Sequence, residues 1–440
     1  MRQLALDLMP DPTPYPSPSG EGSLTSEYGS ADAAPLSRRG GVGGGVSRWG
    51  GRAALLTFFL SVTSLSTQAQ RLLDFSYADS LTQTLYNQQR WAALDSVGRQ
   101  ARALGTDYPA LRRRLGSGAL ATGHVAEALR HYGAALRANP LDTTARTGLV
   151  AAYLAFHQPA PAVLLAAGLP DSLRRQLHLR GQQAITYLEL TGSALQTNEH
   201  RRGAAAYGRL GVGSRLSPRL SLNQSLSYYR QDIELARHNY PGQADDHVID
   251  QTQYHALLAA QLAPRWQVKA GYTFISRDLG NNHLGYFALA YARPLYAVQV
   301  GTYAGTLSDT ARVQADLRLT VYPLGQPGLY AFGRGSVVAS GGTGYANYLL
   351  GVGGRLRPWL WAEGWGSAGR VPVLAEADGT YVYNLFDTLR RRASVSVLIL
   401  GPQQLSLRLT GIAEERLLAN FYFPSTYTLY SLTASLAWTW

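Results

Sequence analysis

From Thr428 to the C-terminus, apolar and polar positions alternate with a period of two. Thr428, Tyr430, Leu432, Ala434, Leu436, Trp438 and Trp440 fall on one face; Leu429, Ser431, Thr433, Ser435, Ala437 and Thr439 fall on the other. The first face is apolar and the second mostly small and polar, as in a β-strand with two different environments. The pattern recurs upstream. Val313, Ala315, Leu317, Leu319 and Val321 alternate with Arg312, Gln314, Asp316, Arg318 and Thr320. Leu405, Leu407 and Leu409 alternate with Ser406, Arg408 and Thr410. Trp266, Val268, Ala270, Tyr272 and Phe274 alternate with Gln267, Lys269 and Thr273.

Read in this way, residues 184–440 predict about fourteen strands: 184–196, 203–216, 219–232, 249–263, 265–277, 283–293, 295–306, 311–323, 327–339, 344–357, 359–368, 389–400, 403–416 and 426–440. Twelve or sixteen remain open, because the 184–196 strand and the 369–388 loop read either way. Strands of ten or more residues in unbroken succession are unusual in a soluble sandwich and suit a tilted membrane span. Links after even-numbered strands are tight (Ser217-Pro218, Pro264, Pro294, 324–326, Pro358, Gly401-Pro402), whereas 233–248, 369–388 and 417–425 are long. Short turns on one side and long loops on the other are expected of a transmembrane β-barrel. Closure would satisfy every backbone polar group, so the first and last strands should pair.

The period differs over residues 75–180, which are rich in Ala and Leu with helical spacing. Leu115, Gly116, Ala119, Gly123, Ala128, Tyr132, Ala135 and Pro140 match the tetratricopeptide pattern. Small residues stand where helices cross, Gly123 stands at the turn, Tyr132 fills the gap to the next repeat and Pro140 ends the second helix. Weaker copies lie at Leu149, Tyr153, Ala162 and Leu169, and at Leu81, Leu85, Leu94 and Ala101. Such a solenoid offers a concave surface to a peptide or another subunit; a generic helical spacer is the alternative. The fold class expected is α+β multidomain: a short helical solenoid followed by an antiparallel transmembrane barrel.

Upstream, AALLTFFLSVTSL at 53–65 follows Arg48 and Arg52 and precedes Thr67-Gln68-Ala69. A basic flank, an apolar core and a small-residue cleavage site make residues 48–69 a signal peptide. Residues 1–47 are Pro- and Gly-rich and read as disordered or as a mis-assigned start, with Val42 or Val46 as alternative initiation codons.

Composition agrees with a barrel. Charged residues are 15% of the 440, against 46 glycines and 27 tyrosines. Of the 40 basic residues only Lys269 is a lysine, and no basic run interleaved with aromatics points to nucleic acid. The absence of cysteine excludes disulfides and thiolate metal sites. No catalytic fingerprint appears, so no catalytic, cofactor or metal residue is assigned. His124 and His131, seven apart on one repeat, read as surface. Asp245, Asp246, His247 and Asp250 read as a solvated loop, with a divalent cation or a lipopolysaccharide contact as the alternative. His255 and Ser276 lack the spacing of a lipid-modifying site. Trp359, Trp361, Trp365, Trp438 and Trp440 lie near strand ends, where indole rings favour a bilayer interface.

By alternation Arg209, Arg215, Arg312, Arg318, Arg392 and Arg408 point into the lumen with Asp316, Glu363 and Glu414. A charge facing mid-membrane lipid would cost about 2–4 kcal/mol. Two readings follow: a positive pore for anionic solutes or acidic polymers, towards which the excess of arginines tips, or a network of Arg–carboxylate pairs filling the barrel.

The terminal residues Tyr430, Leu432, Leu436, Trp438 and Trp440 resemble the C-terminal β-signal by which outer-membrane barrels are recognised for insertion. Signal peptide, repeats and barrel together resemble the exporters of biofilm exopolysaccharide, with periplasmic helices and a barrel, and the YaiO-type outer-membrane barrels of Gram-negative bacteria. The resemblance implies an outer-membrane channel in contact with lipid and the barrel-insertion machinery, whose periplasmic repeats dock a protein partner, and which exports polysaccharide or anionic solutes. A non-conducting scaffold barrel is the first alternative, and a lipid-modifying barrel enzyme is the second. The resemblance transfers no site residue.

Overall fold

The computed structural model describes residues 75–236, 244–277, 280–307, 310–384, 387–418 and 425–440. The expected signal peptide (48–69) and the segment 1–47 lie outside the described residues. Two compact units result, one ending at Gly148 and one running Leu149–Trp440.

The first unit is helical: α1 (Phe75–Asn87), α2 (Trp91–Ala103), α3 (Pro109–Ala121), α4 (Val125–Ala138) and the start of α5 (Thr143–Ala155). Pro109 opens α3 at its first turn, where its missing N–H costs nothing. Gly123 takes a φ of +77° at the α3–α4 turn, a conformation open to glycine. Asp142 caps α5 by accepting from Ala145 N at 2.9 Å. Leu115, Gly116, Ala128, Tyr132 and Ala135 are buried, and Ala119 is half-buried. The Tyr132 ring lies against Gly116 and Gly148, where an added Cβ would come within 3.0 and 2.2 Å of it. Its hydroxyl meets Ser117 Oγ at 2.8 Å. Exposed Pro140 follows the end of α4. His131 is buried beside Arg112, not on the surface; His124 is exposed.

The second unit carries the end of α5, then α6 (Pro159–Ala166) and α7 (Asp171–Gln176), then sixteen strands. Fourteen of these close into one antiparallel barrel. They are β1 (Gln183–Thr197), β2 (Arg202–Ser217), β3 (Leu220–Ala236), β4 (Ala244–Ala263), β5 (Trp266–Arg277), β6 (Gly280–Arg293), β7 (Tyr296–Leu307), β8 (Thr310–Val321), β9 (Leu329–Ser340), β10 (Thr343–Arg357), β11 (Leu360–Val371), β14 (Thr388–Leu400), β15 (Leu405–Leu417) and β16 (Thr426–Thr439). β1 and β16 pair from Tyr187↔Thr439 to Thr197↔Leu429, so no edge is left open. Prolines 218, 264, 294 and 358 each begin a two-residue turn at the end that carries both chain termini of the barrel.

Large apolar side chains cover the outer wall. Leu190, Phe287, Val300, Leu317, Val337, Leu350, Val395 and Leu432 are all exposed, and so are Tyr430, Leu436, Trp438 and Trp440. The Trp438 and Trp440 rings stack at 5.6 Å. Among the described residues no helix is long and apolar enough to cross a membrane.

Inside the wall, several aromatic rings lie over glycines of the neighbouring strand. An added Cβ would come within 2.2 Å of Tyr187 at Gly213, and within 2.4 Å of Phe332 at Gly351 and of Tyr330 at Gly353. These glycines thus make room for inward aromatics.

Three expectations for the barrel change. Trp361 and Trp365 are 3% and 6% exposed: they face the lumen with Glu363, because residues two apart on a strand share a face. Trp359, Trp438 and Trp440 stay outside. The stretch 233–248 is not a long loop, since β3 and β4 continue as a paired ribbon to Ala236 and from Ala244. Asp246, His247 and Asp250 therefore lie on β4, where Asp250 accepts from Tyr228 at 2.8 Å. Lastly, the long link 369–388 carries two short strands of its own, and it defines the site.

Candidate functional site in the barrel lumen

The chain between β11 and β14 folds into the barrel. It forms a small hairpin, β12 (Leu374–Glu376) and β13 (Tyr381–Tyr383). Its tip is Ala377-Asp378-Gly379, with φ of +50°, +57° and +96°. Two consecutive non-glycine residues in the left-handed region are costly and persist only where surrounding contacts impose them. Val373, Ala375 and Val382 supply the apolar contact, packed on Leu257, Ile275, Leu284, Tyr286, Tyr303 and Leu307 of the inner wall.

Three polar anchors hold the hairpin. At the tip, Asp378 accepts from Lys269 Nζ at 2.5 Å, Tyr286 OH at 2.7 Å and Gln299 Nε2 at 2.8 Å. Arg318 stands 4.0 Å away. In the middle, Glu376 takes both Arg392 Nη1 and Nη2 at 2.7 Å and also Arg334. Beside it, Gln314 meets both backbone groups of Ala375, accepting from its N at 2.9 Å and donating to its O at 2.7 Å. At the base, Asp387 accepts from Arg202 Nε and Nη2 at 2.6 and 2.8 Å and from Tyr427 at 2.7 Å. Bidentate Arg–carboxylate geometry gives such contacts direction as well as charge.

All nine residues named for the lumen occupy inward positions. Arg209 donates to Glu189 at 2.7 Å. Asp316 accepts from Gln314 at 2.8 Å and lies 4.0 Å from Arg334. Glu363 accepts from Tyr330 at 2.7 Å, and Glu414 accepts from Arg416 Nε at 3.0 Å. Arg318 and Arg392 meet the hairpin as described. Arg215 and Arg312 donate to the carbonyls of Arg180 and Leu307, each at 3.2 Å, and Arg408 is half-buried between inward Ser406 and Thr410.

Seven lumen cations (Arg202, Arg209, Lys269, Arg318, Arg334, Arg392 and Arg416) thus lie within 4.0 Å of a carboxylate. The carboxylates at the centre, Glu376, Asp378 and Asp387, come from the hairpin segment. Counting inward arginines on strands misses them, because no strand alternation reaches that segment. Arg334 and Arg416 could have been found by extending the alternation along β9 and β15.

Beside the hairpin remains a cavity of about 110 Å3. Tyr207, Tyr229, Trp365 and Tyr381 line it together with hydroxyls, among which Thr191 pairs with Ser435 at 2.9 Å and Ser193 with Thr433 at 2.6 Å. The tight-turn mouth is also occupied. Phe156 packs edge-on to Tyr322 at 5.2 Å and His157 to Trp361 at 6.1 Å. Pro159 and Val163 of α6 line a small pocket with Gln261 and Gln267. His255 is buried with Nδ1 at 2.9 Å from Thr273 Oγ1, close under the hairpin tip. Among the described residues no three His, Asp or Glu converge as a metal site.

No protein-family model matches the sequence. No curated protein matches it either. Solved structures do. The toluene transporter TodX of Pseudomonas putida is 8% identical, with 57% of this chain and 89% of that one covered, at a TM-score of 0.41. A FadL homologue of Pseudomonas aeruginosa is 9% identical over 65% and 93%, at 0.39. A bacterial polysaccharide outer membrane secretin is 10% identical over 59% and 99%, at 0.37. At this distance no residue or solute transfers to this chain.

Proposed function

We propose that the protein is an outer-membrane channel that rests closed, with the hairpin 374–383 as its constriction. The observation that carries this reading is the infolded hairpin. It crosses the lumen and is fastened to the wall by side chains that can exchange partners. The membrane reading rests on the closed barrel and its apolar outer wall, since a soluble protein rarely exposes an apolar belt of this extent. Outward Trp359, Trp438 and Trp440 then sit at the tight-turn interface. Tyr430, Leu432, Leu436, Trp438 and Trp440 serve the insertion machinery as a β-signal. The helical unit is periplasmic and, as a tetratricopeptide-like solenoid, docks a protein partner.

The solute is better read as neutral than anionic. Seven lumen cations lie within 4.0 Å of a carboxylate, so arginine number alone sets no anion preference. Aromatic rings and Ser and Thr hydroxyls lining one cavity suit a hydroxylated ring such as a saccharide unit. That agrees with the resemblance to exopolysaccharide exporters.

A second reading, a non-conducting scaffold barrel, is favoured by one observation: Phe156, His157 and α6 occupy the tight-turn mouth as well. Planar-bilayer recording separates the two. Wild-type protein should conduct little, and a variant with residues 373–383 replaced by a short Gly-Ser linker should show large discrete steps. A folded variant that conducts no more than wild type would sink the channel reading.

A further inference from the structure

The outer wall carries an open groove of about 550 Å3 on β10, β11, β14 and β15. Its shape follows from register. One row across the sheet reads Leu350, Gly366, Ala393, Ala413 and Tyr430. The next row towards the loop end reads Tyr348, Ala368, Arg391, Glu415 and Thr428. Large side chains on β10 and β16 therefore bank a shallow floor. Tyr348 and Leu350 are 65% and 74% exposed, among the most exposed large apolar residues of the barrel. Bank to bank is four strand spacings, roughly 19 Å, which is too wide for one acyl chain.

The groove ends in charge. Arg390 pairs with Glu415 at 2.8 Å. Arg391, exposed on the same wall beside the floor, lies across from that same carboxylate in the register, so two arginines share one negative charge there. Arg391 lies three residues from the start of β14, or about 10 Å of strand from the loop end. A cation on a lipid-facing wall is favourable where it meets an anionic headgroup, and a guanidinium matches a phosphate in geometry.

We propose that this groove binds a multiply acylated, phosphate-bearing glycolipid of the loop-side leaflet, its chains on the Gly366–Ala393–Ala413 floor and its phosphate on Arg391. The proposal rests on the membrane-spanning reading above. A second copy of the barrel fits less well. A two-fold contact would set the concave floor against itself, leaving a void and bringing two Arg391 side chains together.

The test uses full-length protein folded into phosphatidylcholine nanodiscs and titrated with a fluorescent hexa-acylated diglucosamine bisphosphate and its dephosphorylated form. Wild type should prefer the phosphorylated probe by tenfold or more. Arg391→Gln should remove that preference, and Ala393→Leu should weaken both probes at least tenfold. Both variants should keep the heat-modifiable mobility of a folded barrel. Wild type without preference, variants equal to wild type, equal competition by phosphatidylglycerol, or a dimer lost in Ala393→Leu regardless of lipid would each overturn the proposal. If Ala393→Leu fails to fold, Arg391→Gln alone decides. Protein that never enters a bilayer would instead overturn the membrane reading.

Discussion

Lys269 Nζ meets Asp378 Oδ2 at 2.5 Å, joining β5 to the tip of the hairpin from 109 residues away in sequence. Both groups are buried, and Tyr286, Gln299 and Arg318 complete the ring around the carboxylate. The left-handed backbone of Ala377 and Asp378 is the counterpart of these contacts. It is conformational strain that the anchor holds in place.

Breaking this pair should therefore loosen the tip first. Lys269→Met leaves a buried carboxylate short of its closest cation, a change that costs about 3–5 kcal/mol in buried pairs. Tyr286 and Gln299 remain, so the lower figure applies. Because the chain has no cysteine, Thr380→Cys gives a clean reporter. Thiol labelling from the loop side should be slow in the wild-type background and at least tenfold faster with Lys269→Met. Equal rates would show that the tip is not held by this pair.

Glu376 faces two guanidiniums, Arg392 and Arg334. Glu376→Gln removes one negative charge and leaves both cations, of which Arg392 lines the cavity. Residual current under a KCl gradient should shift its reversal potential towards anion selectivity. A shift towards cations, or none, would mean that the current does not pass this point.

Much of the barrel is legible from alternation alone. The even face of 428–440 is the outer face, and Arg312, Asp316 and Arg318 face inward as their period requires. Parity also decides Trp361 and Trp365: they share the face of Glu363, whereas closeness to strand ends suggests the bilayer interface. The hairpin is not legible. Val-Pro-Val-Leu-Ala-Glu-Ala-Asp-Gly at 371–379 has no sustained period. Its conformation is imposed by Lys269, Gln314 and Arg202, which lie 61 to 185 residues upstream of their partners. In the helical unit, the small residues around Tyr132 mark a close crossing, but Gly148 gains its meaning only once the ring is placed.

Gly148 should tolerate no side chain. A Cβ there would lie 2.2 Å from the Tyr132 ring, and moving the ring would break its hydroxyl contact with Ser117. Gly148→Val should destabilise the helical unit by about 1–3 kcal/mol, the range for overpacking. Adding Tyr132→Ala should cost less than the sum of the two single changes, because the clash is then gone. Urea unfolding followed by helical circular dichroism measures both. Strict additivity would show that the ring is not the obstacle.

His131 makes the helical unit acid-sensitive. The side chain is buried, and burial first, then Arg112, Arg102 and Arg130, press its pKa down from 6.5 to about 4. Its Nδ1 stands 3.3 Å from Arg112 Nη1, a contact in which only the neutral ring can accept. The unfolded chain binds the proton more readily than the folded one between these two values, so stability rises with pH across that window. The contribution is fully present above about pH 6.5 and lost as pH falls towards about 4. A shift of this size corresponds to about 3 kcal/mol. The carboxylate of Asp107, paired with Arg112, is held below its ordinary pKa chiefly by that hydrogen bond, so its own stabilisation is lost only at lower pH. His131→Phe should flatten the pH dependence of helical-unit stability between pH 4 and 6.5 and leave the steeper fall below it. A wild-type profile already flat in that window would place the imidazole in water.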